Sequence, residues 1–418
     1  MTRRAQVRRP IHPEQIVVAV DVARRSFVAR PLTSDGRTAK SCRFGCTAAG
    51  FEKLLADARA WVKRFAARGF VVAMEPTGHY GEPLACWLLD RGIPVYSVPP
   101  LYTARSKELE DGTRRKTDDK DCLVIGDLCR RGLAKRWRRL KEPFATLRVL
   151  VRQREQLVVR RSRVVNRVQR HLDVVFPELR ELFRKLFAKT ALWVIATVPT
   201  PGDVQAMGME RLAEELHRVS RGQLGRPRAE ALMSAAKSSV GVRDAVDAHR
   251  LALGQLLAEL EGILEQLAEV ERSMAESLEQ VPYADRLLSI PGLQVISVAT
   301  LLGEAGDLRD YRHARQLLKM LGLDLVEDSS RQRQGHRHIS RRGRRYARQI
   351  LYMVALKAGQ TFLSARRDRL VEVKKKPAKK AAVANMCALV RIAFAVVRDD
   401  VDFEHGLYEV AQETPMAA

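Results

Sequence analysis

The stretch that organises the first part of the chain is Ile16-Val17-Val18-Ala19-Val20-Asp21, a continuous apolar run that ends in an acid. A short run rich in β-branched residues predicts a strand that is buried on both faces. Four more strands are predicted at residues 26–31, 40–44, 70–74 and 93–98. Helices are predicted at residues 48–67 and 83–90. Three strands, a helix, a strand, a helix and a strand in this order predict an α/β domain with a mixed sheet of the RNase H type.

Two long helical segments follow this domain. From Phe144 to Phe176 apolar residues recur every seven positions, arginines occupy the other faces, and Pro177 ends the segment. A heptad pattern from Val246 to Met274 predicts a coiled-coil seam, within the chain or between subunits, and an amphipathic core helix is an equally good interpretation. A mainly α-helical C-terminal domain is predicted from Tyr283 onward. The predicted divisions are residues 1–140, 144–282 and 283–400, with a tail at 401–418.

The charge of the chain predicts a polyanionic partner. The 418 residues include 74 Lys and Arg against 49 Asp and Glu, a formal net charge of +25. This excess favours either nucleic acid or a membrane surface. The sequence begins with arginines and not with an apolar signal segment, and we find no apolar run of the length that spans a bilayer. We therefore expect a cytoplasmic protein that binds nucleic acid and no membrane.

The six cysteines argue against a zinc site. Only Cys42 and Cys46 are close in sequence, and no histidine lies near enough to complete a zinc-binding pattern. We expect reduced, mostly buried thiols.

Four carboxylates form the most informative pattern in this basic sequence. Asp21 ends the first predicted strand and Glu75 ends the fourth, so a sheet of the RNase H type would bring them to neighbouring strand ends. Asp118 and Asp121 are three residues apart and would share one face of a helix, whereas Asp119 would be turned away from them. Carboxylates gathered in this way repel each other unless cations hold them together, and Mg²⁺ prefers such oxygen ligands. Each acid taken alone is better explained as a turn or surface residue, and only their combination with the surrounding basic charge favours a metal site.

The order and spacing of these acids resemble the DEDD transposases of the insertion-sequence 110 family. The matching blocks are Val18-Ala19-Val20-Asp21, Met74-Glu75-Pro76-Thr77-Gly78-His79-Tyr80, Lys116-Thr117-Asp118-Asp119-Lys120-Asp121, Ile290-Pro291-Gly292, Gly303-Glu304-Ala305-Gly306-Asp307, Gly322-Leu323, Ser329-Ser330 and Ile339-Ser340-Arg341-Arg342-Gly343, followed by a helix with Arg348. The resemblance covers roughly residues 16–140 and 285–400. This chain departs from the family pattern at Cys122, usually Ala, at Leu325, usually Pro, and at Arg331, usually Gly.

The resemblance implies a fold and a chemistry. It implies a RuvC-like nuclease domain, with Mg²⁺ held by Asp21, Glu75, Asp118 and Asp121, and a C-terminal transposase domain that carries a nucleophilic serine at Ser330. Members of the family are understood to pair the two domains across subunits and to be guided by an RNA from their own element. We therefore expect DNA, a guide RNA and a homo-oligomer, dimer or tetramer, as partners.

Ser330 is a credible nucleophile because positive residues surround it in sequence. A serine hydroxyl reacts poorly unless a base, a metal ion or cations stabilise its alkoxide. Arg331, Arg333, His336 and His338 are nearby. Paired serines are most often polar turns, so the assignment depends on the resemblance. Tyr346 and Tyr352 are alternative nucleophiles, and we interpret them as packing residues.

The basic residues beyond the serine predict contacts with phosphate groups. These contacts would be independent of base sequence and sensitive to salt. The predicted nucleic-acid-binding residues are Arg331, Arg333, Arg341, Arg342, Arg344, Arg345 and Arg348. The overall prediction is a Mg²⁺-dependent DNA transposase. Two alternatives stay open at this stage: a junction-resolving nuclease that uses the same carboxylates with water, and a nucleic-acid-binding protein without catalysis.

Overall fold

A computed structural model describes most of the chain, namely residues 11–76, 78–111, 118–330 and 333–404. At residues 107–111, 118, 327–330 and 333–337 the structure describes the backbone and not the side chains. The backbone divides into two compact units, Met1–Arg139 and Leu140–Ala418.

Unit 1 is built on a mixed β-sheet. Its strands are β1 (Gln15–Val22), β2 (Ser26–Leu32), β3 (Cys42–Gly45), β4 (Gly69–Met74), β5 (Val95–Ser97) and β6 (Lys135–Arg136). They lie in the order β3-β2-β1-β4-β5-β6. β1 is antiparallel to β2 and parallel to β4, and β4 is parallel to β5. The predicted α/β domain with a mixed sheet is therefore confirmed. β6 was not predicted, because its two exposed residues have no apolar pattern.

Helices cover both faces of this sheet. They are α1 (Ala48–Arg64), α2 (Glu82–Asp90), α3 (Pro100–Asp111) and α4 (Asp118–Arg130). Val18 and Val20 of β1 pack with residues of α1 and α2 in one core. Val17 and Ala19 pack with Ile125 of α4 in a second core on the opposite face. Because β1 is buried on both faces, nearly every one of its residues is apolar, as the sequence predicted.

Unit 2 is mainly helical. Its helices are α5 (Phe144–Val175), α6 (Leu179–Leu182), α7 (Lys189–Thr197), α8 (Pro201–Met207), α9 (Met209–Val219), α10 (Arg226–Ser238), α11 (Val246–Glu279), α12 (Ala284–Leu288), α13 (Val295–Ala305), α14 (Ala314–Leu321), α15 (Arg345–Ala358), α16 (Ser364–Asp368) and α17 (Ala378–Asp399). Short 3₁₀ and π segments lie at Leu308–Asp310 and Arg369–Val373. A two-stranded antiparallel hairpin consists of β7 (Leu325–Ser330) and β8 (Arg333–Ile339).

The heptad seam of α11 is covered by the same chain. Leu253, Leu260 and Leu267 of α11 are buried in one core with Val164 and Leu172 of α5. Of the two arrangements that the pattern left open, within the chain or between subunits, the structure shows the one within the chain for these residues, because α5 buries them. The pattern could not distinguish the two cases, since heptad spacing defines an apolar face but not the helix that covers it. A homo-oligomer remains a prediction.

The last helix, α17, is long and apolar enough to cross a membrane by length and composition alone. Its most apolar window has a mean hydropathy of 1.7, and 67% of that window is buried within the protein. Leu389, Ile392 and Phe394 belong to the core that α13 and α15 also line. The apolar residues of α17 do not form an unbroken run, because Asn385 and Arg391 interrupt them, and packing inside unit 2 explains the composition of the helix. Within the predicted tail at 401–418, residues 405–418 lie outside the described part of the chain.

Candidate functional site

Asp21 and Glu75 lie beside each other at one edge of the sheet in unit 1. Val20 of β1 pairs with Met74 of β4 in the last step of their parallel register. Asp21 and Glu75 are the next residues of the two chains, and both are partly exposed. Side chains alternate between faces along a strand. Val20 and Met74 point into the α1 face, so the alternation directs Asp21 and Glu75 to the face that α4 covers.

Helix α4 is anchored close to this edge. The Cys122 thiol donates a hydrogen bond to the carbonyl oxygen of Val28, at 3.2 Å, and Val28 is the β2 partner of Asp21. One turn further, Gly126 lets the helix approach the sheet, because a Cβ there would lie 3.0 Å from a methyl carbon of Leu32. The half-buried Asp121 directly precedes Cys122 and therefore lies at the same end of β1.

The electrostatics of Cys122 reflect the surrounding acids. Burial raises the pKa of this thiol to about 12, and the charges of Asp21, Asp119 and Asp121 act in the same direction. Cys122 therefore stays a neutral thiol at neutral pH, and it packs where the family pattern usually has Ala.

Glu75 is held by a residue that sequence reasoning missed. The hydroxyl of Thr103, in the first turn of α3, lies 2.7 Å from Oε2 of Glu75 and 2.9 Å from the carbonyl oxygen of Pro100. Thr103 is 2% exposed. The sequence feature that could have identified Thr103 is its position in the first turn of a helix that directly follows β5, the strand beside β4. A hydrogen bond from this hydroxyl orients the carboxylate of Glu75.

The described carboxylates have the right chemistry for a magnesium ion but do not form a closed cluster. Carboxylate oxygens are the ligands that Mg²⁺ prefers. Among the side chains that the structure describes, no group of three or more Asp, Glu, His or Cys is close enough to hold a metal ion. Asp118 begins α4, and its side chain lies outside the described ones. Three of the four predicted ligands are thus at one edge of the sheet, on the elements that the sequence predicted.

Ser330 lies in unit 2, at the end of a strand. It closes β7 and pairs with Arg333, the first residue of β8, and the register shifts between Asp328 and Ser330. The predicted loop is therefore a β-hairpin whose described strands reach the serine itself. The side chains of Ser330 and Arg333 lie outside the described ones, and Arg331 is outside the described residues altogether.

The base of the hairpin is fastened to the end of α14. The backbone N–H of Ser340 donates to the carbonyl oxygen of Asp324 at 2.8 Å, and that of Arg341 donates to Gly322 at 3.0 Å. Gly343 allows this approach, since a Cβ there would lie only 2.4 Å from the Gly322 nitrogen. Arg341 has a φ of 54°. That left-handed conformation costs a non-glycine residue about 1–2 kcal/mol, and the neighbouring hydrogen bonds hold it.

The predicted basic residues differ in their surroundings. Arg341, Arg342 and Arg345 are exposed, and Arg344 is partly buried. Arg348 donates to the carbonyl oxygen of Leu321 at 2.8 Å. Burial lowers its pKa, and the charges of Arg341 and Arg345 add to that effect. The hydrogen bond of Arg348 therefore links α15 to α14. The exposed arginines are the ones accessible to a phosphate.

The alternative nucleophiles Tyr346 and Tyr352 are partly buried and pack against the core of α13, α15 and α17. This packing supports their interpretation as structural residues.

Comparisons with known proteins agree on one family. A family model described as the DEDD transposase of IS110 matches residues 18–177, and a model described as the transposase of the IS116/IS110/IS902 family matches residues 284–369. The chain is 27% identical over 345 residues to the 44.8 kDa protein of insertion element IS116 from Streptomyces clavuligerus, covering 82% of this chain and 84% of that protein. It is 26% identical over 325 residues to the 43.6 kDa protein of insertion element IS110 from Streptomyces coelicolor, and the match covers 75% of this chain and 78% of that protein.

A solved structure, T. thermophilus RuvC in complex with Holliday junction substrate, covers 29% of this chain and 99% of its own at 14% identity, with a TM-score of 0.22. The two family models together match more than half of the sequence, in the same order as the acidic blocks and the serine block. This chain belongs to the IS116/IS110/IS902 family of transposases.

Proposed function

We propose that this protein cuts and rejoins DNA strands with Mg²⁺ bound by Asp21, Glu75, Asp118 and Asp121 and with Ser330 as the nucleophile. The observation that supports the metal site best is the register of β1 and β4. It places two carboxylates at adjacent strand ends on the face where α4 contributes Asp121.

The carboxylates would act together through the ion. Negative groups at one edge repel each other, and that repulsion is relieved when divalent cations bind between them. Bound there, Mg²⁺ would polarise the phosphate and stabilise the leaving oxygen. Thr103 would keep Glu75 in a fixed orientation, because its hydroxyl occupies Oε2 and leaves Oε1 for the ion.

Ser330 would form the covalent intermediate. Its Oγ attacks phosphorus, the bond from phosphorus to one sugar oxygen breaks, and the sugar oxygen leaves with a proton. The reverse attack by a free sugar hydroxyl restores the serine and rejoins a strand without an external energy source. The exposed Arg341, Arg342 and Arg345 lie beyond the base of the same hairpin and would neutralise the phosphates near it.

We further propose that an RNA from the same element guides the protein and that the active form is a homo-oligomer. The net charge of +25 supports a large polyanionic partner. The family to which the chain belongs supports the remainder of this proposal.

The experiment that tests the chemistry is a denaturing gel with labelled DNA from the ends of the element. We expect the wild type to show a slowly migrating protein–DNA band that requires Mg²⁺. Ser330→Ala should lose this band and strand exchange while it still folds and binds DNA, whereas Ser329→Ala should keep both. Glu75→Gln and Asp118→Asn should also lose the band, since each removes an ion ligand with little change in volume.

The other outcomes identify the alternatives. If the band persists in Ser330→Ala and disappears in Tyr346→Phe, the nucleophile is misassigned. If nicking depends on Mg²⁺ but the wild type never forms the band, water is the nucleophile and the protein is a resolving nuclease. If Asp118→Asn cuts DNA at the wild-type rate, the metal site is elsewhere.

A further inference from the structure

A buried carboxylate lies between two arginines in unit 2. Glu304, near the end of α13, has a side chain that is only 4% exposed. Its Oε1 lies 4.0 Å from Nε of Arg152 on α5, and its Oε2 lies 3.6 Å from Nε of Arg344, the residue that precedes α15. Three elements that are distant in sequence thus converge on one charged group.

The pairing of this carboxylate is incomplete. Taking an ionised carboxylate out of water costs several kcal/mol unless hydrogen bonds replace the lost hydration. Among the residues that the structure describes, Oε1 of Glu304 has no hydrogen-bond partner, and both arginine contacts are too long to be hydrogen bonds. Stability alone does not account for an acid at this position, because an apolar residue of similar size would avoid the cost.

A third arginine adds positive charge but does not pair with the carboxylate. Arg148 donates to the carbonyl oxygens of Gly303, at 2.8 Å, and Glu304, at 2.9 Å. These are groups at the C-terminal end of α13, where a cation is favourable. Burial lowers the pKa of Arg148 to about 10, and the nearby charge of Arg344 adds to the effect. Three guanidinium groups therefore lie around Glu304, and even with the nearby charge of Glu155 the cluster has an excess of positive charge.

The two flanking arginines keep part of their surface open to solvent. The side chain of Arg152 is 48% exposed and that of Arg344 is 30% exposed. Arg344 precedes a helix whose first turn contains no acidic residue. No side-chain cap is found for that turn among the described residues, so its backbone N–H groups add to the attraction for an anion. Each guanidinium has five N–H donors, so one edge can face Glu304 while another binds a phosphate.

The position of Arg344 is coupled to the hairpin that carries Ser330. Its backbone N–H donates to the carbonyl oxygen of Met320 at 3.3 Å, two residues before the Gly322 that accepts from Arg341. A phosphate bound at Arg344 would therefore be held at a defined place relative to the base of the hairpin.

We infer that Arg152 and Arg344 form a phosphate clamp for the backbone of the substrate DNA and that Glu304 is the positioning residue that holds both guanidinium groups. This inference deepens the proposed function and rests on it only for the identity of the nucleic acid. Glu304 itself does not contact the DNA.

Salt-dependent DNA binding without Mg²⁺ tests the clamp. The probe is a fluorescently labelled DNA duplex, and its anisotropy gives the Kd over a range of salt concentrations. Each lost phosphate contact lowers the slope of log Kd against log salt by about 0.9. We expect this loss for Arg152→Gln and for Arg344→Gln. The control Arg226→Gln removes the same charge from an exposed arginine that pairs with Glu210 and Glu230, and it should leave the slope unchanged.

Glu304→Gln separates a positioning role from simple charge. Removing one negative charge should tighten DNA binding if electrostatics alone matters. If Glu304 holds the clamp, the slope should instead fall by about 0.9 or more, because the guanidinium groups lose their fixed place. The matched control is Glu259→Gln, since Glu259 also lies between two arginines, 3.8 Å from each of Arg160 and Arg167, but is 39% exposed.

Two results would overturn the inference. One is a wild-type slope in both arginine variants, which decides the question even if Glu304→Gln does not fold. The other is a folded Glu304→Gln that binds DNA more tightly, as Glu259→Gln should. The binding assay contains no Mg²⁺ and needs no cleavage, so its result does not depend on the proposed chemistry. If the slopes change as expected but the protein forms no covalent serine–DNA link, the clamp is supported and only the proposed chemistry is rejected.

Discussion

Gly303 offers a direct test of how α13 and α5 pack beside the arginine cluster. A Cβ at this position would lie 2.9 Å from both the carbonyl carbon and the carbonyl oxygen of Leu147, and 3.1 Å from the nitrogen of Arg148. Carbon contacts are normally about 3.5–4.0 Å, so Gly303→Ala would force the two backbones apart by roughly 0.5 Å. Backbone atoms within a helix cannot rotate away as a side-chain end can.

The expected loss of stability follows from three contributions. Overpacking costs about 1–3 kcal/mol, and weakening the bond from Arg148 to the Gly303 carbonyl oxygen costs about 1 kcal/mol more. Alanine is the better helix former by about 1 kcal/mol, which offsets part of this. We therefore expect Gly303→Ala to lower the free energy of unfolding by about 2 kcal/mol.

Thermal unfolding followed by circular dichroism is the assay. The control is Gly262→Ala in α11, where a Cβ would meet no atom within 4 Å and the variant should gain up to about 1 kcal/mol. For domains of about 150–250 residues 1 kcal/mol corresponds to roughly 2–4 °C in Tm. Because one variant should lose stability and the other gain it, their Tm values should shift in opposite directions. If the Tm of Gly303→Ala is as high as the Tm of Gly262→Ala, the result contradicts the close approach of α13 to α5.

Two further predictions concern the seam and the RNA. Leu260→Ala should lower the free energy of unfolding by about 2–5 kcal/mol at every protein concentration, because Leu260 is 4% exposed and covered by α5. The control Leu251→Ala, at a position that is 65% exposed, should change the free energy of unfolding little. A loss that appears only as weaker subunit association would contradict this prediction. Protein expressed with its native flanking DNA should copurify with one discrete RNA that resists moderate salt, and recovery of only mixed host RNA that salt removes would argue against a guide.

The sequence alone predicted the sheet of unit 1 because its signals are local. A run such as 16–20 is short and rich in β-branched residues, which favours a buried strand, and turn residues mark where such runs stop. The acids were noticeable for the same reason, since Asp21 and Glu75 interrupt apolar runs at their ends. That they share an edge followed from the order of strands and is consistent with the observed register.

The sequence also determined the apolar face of α11 but not its partner. Heptad spacing fixes the angle at which leucines leave a helix, and any complementary helix can cover them. Only the folded chain shows that α5 does so. The hairpin of β7 and β8 was missed for the opposite reason. Its residues are largely polar, so no alternation of apolar and polar residues predicts the two strands. Only the backbone pairing in the folded structure defines these strands.

The tertiary structure decided the groups that act through distant neighbours. Thr103 is an ordinary residue in a helix until the packing of α3 brings its hydroxyl 2.7 Å from Glu75. Glu304 is a single acid in an apolar helix, and its sequence neighbours contain no arginine that could pair with it. Arg152 lies far before it and Arg344 well after it, and the attraction between these charges depends on distances that only the packing of α5, α13 and α15 establishes.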